Sequence, residues 1–355
     1  IGRNNGILHT VENGFIAPSA FLTYMLSTLV ILQVWYTTVM FINKYGCNGV
    51  QENVAIFINM YLLYYMAQGT RADWQDFYLR YNIAWMLILL NLALQYFIKL
   101  KKMPQGMPWI TAHIKRNLLI FAVQIIIIAV SIPVFLITGI PLAPLAMAVG
   151  IVLLLLSEKV NSFVEGDFAH LTERIMLYVV FTFGEMIIGI ADYFEGEIGF
   201  NTIYFSLMAF LIVAGLFISY GFVYDNVINR EMSNSGTGYM LLHIVLITAL
   251  NNITTALEFM RMEEISAIPK NIFIVLSIIL YFLFLFLLEK YAIVRCKAHL
   301  KFYAVVALMS LGFIVLMILF YRNSYISIAV SVLYIYAVFG YLFLNVKRMK
   351  NNQAK

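Results

Sequence analysis

The chain has 355 residues, of which 63% are hydrophobic and only 12% charged, with 28 Phe, 23 Tyr and 4 Trp. A soluble globular domain carries about 25% charged residues, so too few charges are available to coat a surface facing water, and a cytosolic enzyme, a nucleic-acid binder and a disordered chain are excluded. The net charge of +5 has another source in a membrane protein, because a Lys/Arg excess belongs to its cytoplasmic joints.

A bilayer core about 30 Å thick takes roughly 20 apolar residues as a helix. The chain offers about eleven such runs, over 16–43, 53–70, 77–99, 114–138, 141–158, 172–192, 200–224, 238–259, 269–289, 301–321 and 324–346. Pro141 and Pro144 mark a tight joint between the fourth and fifth. The runs are continuous and do not alternate, which argues against a barrel. Since only helices and closed barrels satisfy the backbone in lipid, the fold class is all-α, a polytopic transmembrane helix bundle.

If every run spans, the joints alternate sides. One side then receives Lys44, Lys99, Lys101, Lys102, Lys115, Arg116, Lys159, Arg174, Arg230, Lys290, Arg295, Lys297, Lys301, Lys347, Arg348, Lys350 and Lys355, which is 17 of the 23 basic residues. The other side keeps 6: Arg3, Arg71, Arg80, Arg261, Lys270 and Arg322. The positive-inside rule makes the first side cytoplasmic. The expected location is the plasma membrane, with residue 1 outside and the C-terminus inside. Cys47 and Cys296 fall near cytoplasmic joints on this map, where thiols stay reduced, so no disulfide is expected. An outside start implies one more helix upstream of residue 1.

Sliding the chain against itself by about 182–190 residues superposes the helix map. The run ending VMFINKYG meets the run ending GFVYDNVI, and Asn43 falls opposite Asp225. The expectation is two six-helix pseudo-repeats, 1–158 lacking its first helix and 159–355 complete. An even-numbered unit keeps its orientation, so the halves would be related by an axis along the membrane normal.

Polar residues inside spans are costly and therefore informative. The richest stretch is DFAHLTERIMLYVVFTFGEMIIGIADYF, residues 167–194. At 100° per residue, His170, Arg174, Tyr178, Phe181, Glu185 and Asp192 keep to one stripe. Arg174 and Glu185 are about 16 Å apart by helical rise, too far to pair. Glu185 is expected to face the bundle interior or a water-filled cavity and to take its partner from another helix. Glu173 lies on the flank, above Gly184, where the missing side chain would admit a close neighbour. Glu185 suits a protonatable coupling carboxylate or a cation site, and Arg174 an anion anchor at the cytoplasmic mouth. The alternatives are a packing hydrogen bond for Glu185 and snorkelling for Arg174.

The run HLTERIMLYVVFTFGEMIIG, through His170, Glu173, Arg174, Gly184 and Glu185, resembles the signature of the low temperature requirement protein A (LtrA) family of bacterial membrane proteins. The similarity extends to LQVWYTTVMFINKYG and to the region around FVYDN. Family members open with a helix bearing a Glu-Leu-Phe-Phe-Asp-Leu-like motif, which this sequence lacks. Met186 stands where the family has Ser or Ala. The resemblance implies a membrane protein linked by name to growth in the cold, with no established substrate or reaction.

Elsewhere, His243 sits at a depth like that of His170, but neither has flanking ligands of the kind a haem or metal needs. A hydrogen-bonded histidine at a helix end is the simpler reading, and neither a cofactor nor a metal is expected. Asn251, Asn252, Thr254 and Thr255, with Glu258 a turn beyond, line a polar path or bond between helices. The acidic joint Asp192, Glu195 and Glu197 would gather cations or stay a solvated loop. KLKKM (99–103), with Lys115 and Arg116, would contact anionic lipid heads. No phosphate-binding glycine loop, zinc-ligand spacing or catalytic triad is present, and no catalytic residue is assigned. Expected partners are membrane lipids and a small molecule or ion, not nucleic acid. Three functions fit: a secondary-transporter-like protein with Glu185 coupling a proton or cation, an intramembrane enzyme on a lipid-linked substrate using His170, Glu173 and Arg174, or a non-catalytic sensor or scaffold.

Overall fold

A computed structural model describes residues 6–12, 14–69, 74–103, 107–156, 166–191, 199–262, 264–293 and 298–352. Eleven α-helices follow in chain order: α1 Pro18–Tyr45, α2 Val50–Gly69, α3 Trp74–Lys102, α4 Pro108–Thr138, α5 Ala143–Leu156, α6 Phe168–Ala191, α7 Phe200–Asn226, α8 Thr237–Arg261, α9 Ala267–Leu287, α10 Leu300–Leu319 and α11 Ser324–Asn352. They correspond one for one to the apolar runs. A two-stranded hairpin, β1 Val11–Glu12 and β2 Phe15–Ile16, precedes α1.

Local sequence explains several ends. Proline opens α1 and α4, where the missing N–H costs no hydrogen bond. Gly139 closes α4 in the left-handed region (φ 73°), and its N–H donates to the Phe135 carbonyl at 2.8 Å. Asp167 precedes α6 and accepts the His170 N–H at 3.0 Å, satisfying one of the orphan donors of the first turn.

Among the described residues, nine of the helices are long and apolar enough to cross a membrane, α2 and α5 being the two that fall short. At 14 residues, α5 would rise only about 21 Å. The fold is thus an all-helical polytopic bundle, and the backbone is satisfied within its own helices, as lipid requires.

The chain divides into two compact units, one holding residues 1–10, 16–171 and 232–240, the other 11–15, 172–231 and 241–355. The first contains α1 to α5 around an aromatic core of Phe41, Tyr45, Tyr81, Trp85, Tyr96 and Phe121. Phe41 and Tyr96 lie 4.9 Å apart between ring centres, and Tyr96 and Phe121 5.6 Å, tilted and edge-on geometries that suit the ring quadrupoles. Polar ties cross this core: Gln33 Nε2 donates to Gln124 Oε1 at 3.0 Å, and Gln124 Nε2 to the Ala146 carbonyl at 3.1 Å. Gly150 leaves room for them, since a Cβ there would sit 2.0 Å from Gln124 Nε2.

In the second unit, α7 packs on α11 through Gly215. A Cβ there would lie 2.7 Å from Ile335 Cγ2 and 3.1 Å from the Tyr336 ring. Such close approach is how helices gain van der Waals contact in lipid, where burial supplies no hydrophobic driving force. The Tyr281 hydroxyl donates to the Leu216 carbonyl at 2.7 Å one residue away, and Phe313 stacks on Tyr334 at 4.3 Å. Gly215→Ala is expected to overpack this seam against a branched side chain and a ring, costing about 1–3 kcal/mol. Thermal unfolding in detergent should show a lowered midpoint, while Gly312→Ala, with nothing within 4 Å of the added Cβ, should unfold like the parent.

Candidate functional site

The helix that carries the charges, α6, buries Ile175, Val179, Thr182, Phe183, Met186 and Ile190. These positions recur at three- and four-residue spacing and define one face. The predicted stripe lies about a third of a turn away from it. His170, Arg174 and Phe181 are exposed, Tyr178 and Glu185 are half-buried, and Glu173 is exposed. Glu185, expected to face the interior, is half-buried on the flank of the buried face, while His170 and Arg174, nearer the start of α6, are exposed. Asp192, like Glu195 and Glu197, lies outside the described residues.

A correction concerns the glycines. Gly184 is exposed with nothing within 4 Å of an added Cβ. The close approach occurs at Gly189, where a Cβ would lie 3.4 Å from Thr254 Cγ2 and 3.6 Å from Glu258 Oε1. That places α8 directly against the end of α6. Further back, Phe183 of α6 meets Phe217 of α7 edge-on at 5.3 Å. One turn along α7, the Tyr220 hydroxyl lies 3.2 Å from Nε2 of His243 on α8. From that level to Gly189, α6 and α8 climb in the same direction. With equal rise per residue, Glu185, one turn before Gly189, stands level with the Leu250–Thr254 turn of α8.

That turn is polar. Thr254 Oγ1 donates to the Leu250 carbonyl at 3.1 Å and Thr255 Oγ1 to the Asn251 carbonyl at 3.2 Å, so both hydroxyls are satisfied along their own helix. Asn251 is 2% exposed, and its Nδ2 has no hydrogen-bond partner among the described residues. An amide left so costs about 1–3 kcal/mol unless an acceptor reaches it. Glu258, seven residues on, shares the face of Asn251 and is half-buried. Two carboxylates, an amide donor and threonine oxygens thus occupy adjoining turns of two helices. Such a set can hold a proton shared with a carboxylate, or replace the water around a small cation. The polar run on α8 was visible in the sequence; that Gly189 brings Glu258 beside the Glu185 helix was not.

The remaining candidates lie apart from this set. The His170 imidazole, 69% exposed on its side chain, lies 3.8 Å from Asp167, and so shares the helix-capping carboxylate. His243 is fully buried against Tyr220, a histidine held by a hydrogen bond. Asp225 is exposed at the end of α7. Asn43, half-buried in the first unit, has its amide against Gly166, where a Cβ would lie 2.4 Å from Nδ2. Among the described residues no group of three His, Cys, Asp or Glu is arranged to hold a metal. Cys47 is exposed and free, and Cys296 lies outside the described residues. The sequence reading passed over His113, which is buried with Nδ1 2.5 Å from the Tyr45 hydroxyl, in contact with the Asn117 amide. Its only signal was a histidine inside an apolar run.

Nine membrane-length apolar helices, with polar groups gathered on the facing turns of α6 and α8, define a polytopic integral membrane protein. The profile of the bacterial low temperature requirement A protein (LtrA) family matches residues 6–338, so the chain belongs to that family. No curated protein and no solved structure matches it.

The α6–α8 register is open to direct measurement. In a variant lacking its native cysteines, Gly189→Cys with Thr254→Cys should form a disulfide under mild oxidation, since a Cβ at 189 would lie 3.4 Å from Thr254 Cγ2 and the helices adjoin there. Gly184→Cys with Thr254→Cys should not. Equal crosslinking of both pairs would contradict the register.

Proposed function

We propose that the protein is a secondary-transporter-like membrane protein in which Glu185 couples the movement of a proton or small cation to that of a small solute. The observation that carries this reading is the half-buried Glu185 carboxylate level with the buried, unmatched amide of Asn251. A carboxylate at membrane depth is expensive unless it pairs, protonates or holds an ion. Asn251 on the level turn leaves its N–H without an acceptor among the described residues, and Glu258 brings a second carboxylate, at a second such cost, to the adjoining turns. One proton or one cation shared between the two carboxylates relieves both costs. Gain and loss of that charge would bias the packing of α6 on α8 at Gly189, which is the link a transporter needs between ion occupancy and conformation.

This reading includes the orientation given by the 17-to-6 split of basic residues, with the C-terminus cytoplasmic, and the internal repeat of 1–158 and 159–355 as the basis of a rocking motion. The test is ion flux in proteoliposomes, followed with a pH-sensitive dye and with sodium and potassium indicators under an imposed gradient. The parent is expected to dissipate the gradient of its coupling ion, and Glu185→Gln to abolish that flux while eluting as a folded protein in detergent. Flux by the variant equal to the parent's would end the coupling role.

A further inference from the structure

A cleft of about 430 Å³ opens in the first unit where the end of α3 meets the start of α2, lined among others by Phe41, Glu52, Gln95, Ile98, Lys99 and Lys102. Its size falls within the range of small-molecule sites, about 300–1,000 Å³. We propose that it binds a phosphate ester, as carried by the headgroup of an anionic lipid.

The polar lining consists of donors pointing to one kind of ligand. Lys99 Nζ donates to the Tyr45 carbonyl at 3.0 Å, and Lys102 Nζ to Gln51 Oε1 at 3.4 Å. Each ammonium has three hydrogens and so keeps donors for a ligand. Glu52, the acidic group in the lining, has both carboxylate oxygens turned to the Cys47 N–H, at 2.9 and 3.1 Å, and that bond fixes the joint between α1 and α2. Gln95 is the independent observation. It is 5% exposed, lines the cleft, and its Nε2 is buried with no acceptor among the described residues. A buried N–H of this kind costs about 1–3 kcal/mol unless an acceptor fills the site. Two ammonium groups and an amide around one cavity suit an anion with several acceptor oxygens, which is what a phosphate supplies.

The apolar part of the lining selects the rest of the ligand. Phe41, Val50, Ile98, Met103 and Met107 form the other walls. From Val50 the exposed face of α2 continues through Val54, Phe57 and Tyr61, a track along which acyl chains can lie. The same chemistry is offered by a lipid headgroup and by a soluble phosphate ester.

Native mass spectrometry of the protein from a neutral detergent, with phosphatidylglycerol and phosphatidylcholine added in equal amounts, tests the assignment. The parent is expected to retain phosphatidylglycerol preferentially. Lys99→Gln with Lys102→Gln should lower that retention roughly thirtyfold, at the usual worth of a lysine near an anionic headgroup. Lys347→Gln with Arg348→Gln is the charge-matched control, because both are exposed on α11 and neither lines the cleft; it should retain lipid like the parent. Gln95→Leu, which leaves every charge in place, should also weaken retention. Displacement of the lipid by millimolar glycerol phosphate would show that the phosphate ester suffices; persistence would show that the whole lipid is the ligand, and both support the site. Equal retention by the parent and the Lys99→Gln/Lys102→Gln variant, or equal loss in the Lys347→Gln/Arg348→Gln control, would overturn it.

Discussion

Everything in this chain follows from the rule that a polar group placed in lipid must find its partner inside the protein. The backbone obeys by being helical. Threonines and serines obey by bonding back to carbonyls three or four residues behind, as Thr248, Thr254, Thr255 and Ser331 do. Glutamines and asparagines reach across helices, as Gln33 and Gln124 do, and Asn91 with Asn59 at 2.8 Å. Once these are accounted for, few polar groups are left over. Of the buried groups left without a partner among the described residues, two sit beside other chemistry: the Asn251 amide on the turn of α8 that faces α6, and the Gln95 amide in the basic cleft beside α3.

The two places differ in the sign of their chemistry. On α6 and α8 the residual groups are carboxylates with one amide donor, which suits a proton or a cation. Beside α3 they are ammonium groups with one amide donor, which suits an anion. In the first, Glu185 lies nearly two turns from the end of α6; the second lies at the lysine-rich end of α3. The ion handling proposed for the one and the lipid binding proposed for the other can be tested separately.

The helices were legible in the sequence because length and continuity of apolar runs are set by the bilayer, and the eleven runs match α1 to α11 to within several residues at most ends. Their facing was not. In water the buried face of a helix is the apolar one, but in lipid both faces are apolar: α6 buries Ile175, Val179 and Phe183 and exposes Leu177, Phe181 and Ile188. A polar stripe on such a helix has no apolar contrast to show which way it turns, so the sequence could not tell that Glu185 is half-buried while His170 and Arg174 are exposed. Choosing Gly184 over Gly189 failed for the same reason, since only the neighbour's position distinguishes a glycine in a seam from one facing outward. Gln95 and His113 were silent because a single amide or imidazole in an apolar run shows its meaning only when its surroundings are known.

The central claim is that the Glu185 flank of α6 communicates with water and its opposite face does not. The most direct measurement is labelling of single cysteines by a membrane-impermeant maleimide in proteoliposomes, in a variant without Cys47 and Cys296. Glu185→Cys should be labelled, whereas Ile187→Cys, at a position 49% exposed on the far side of the helix from residue 185, should stay unlabelled. If position 185 is as inert as position 187, no aqueous path reaches the carboxylate and the coupling role falls.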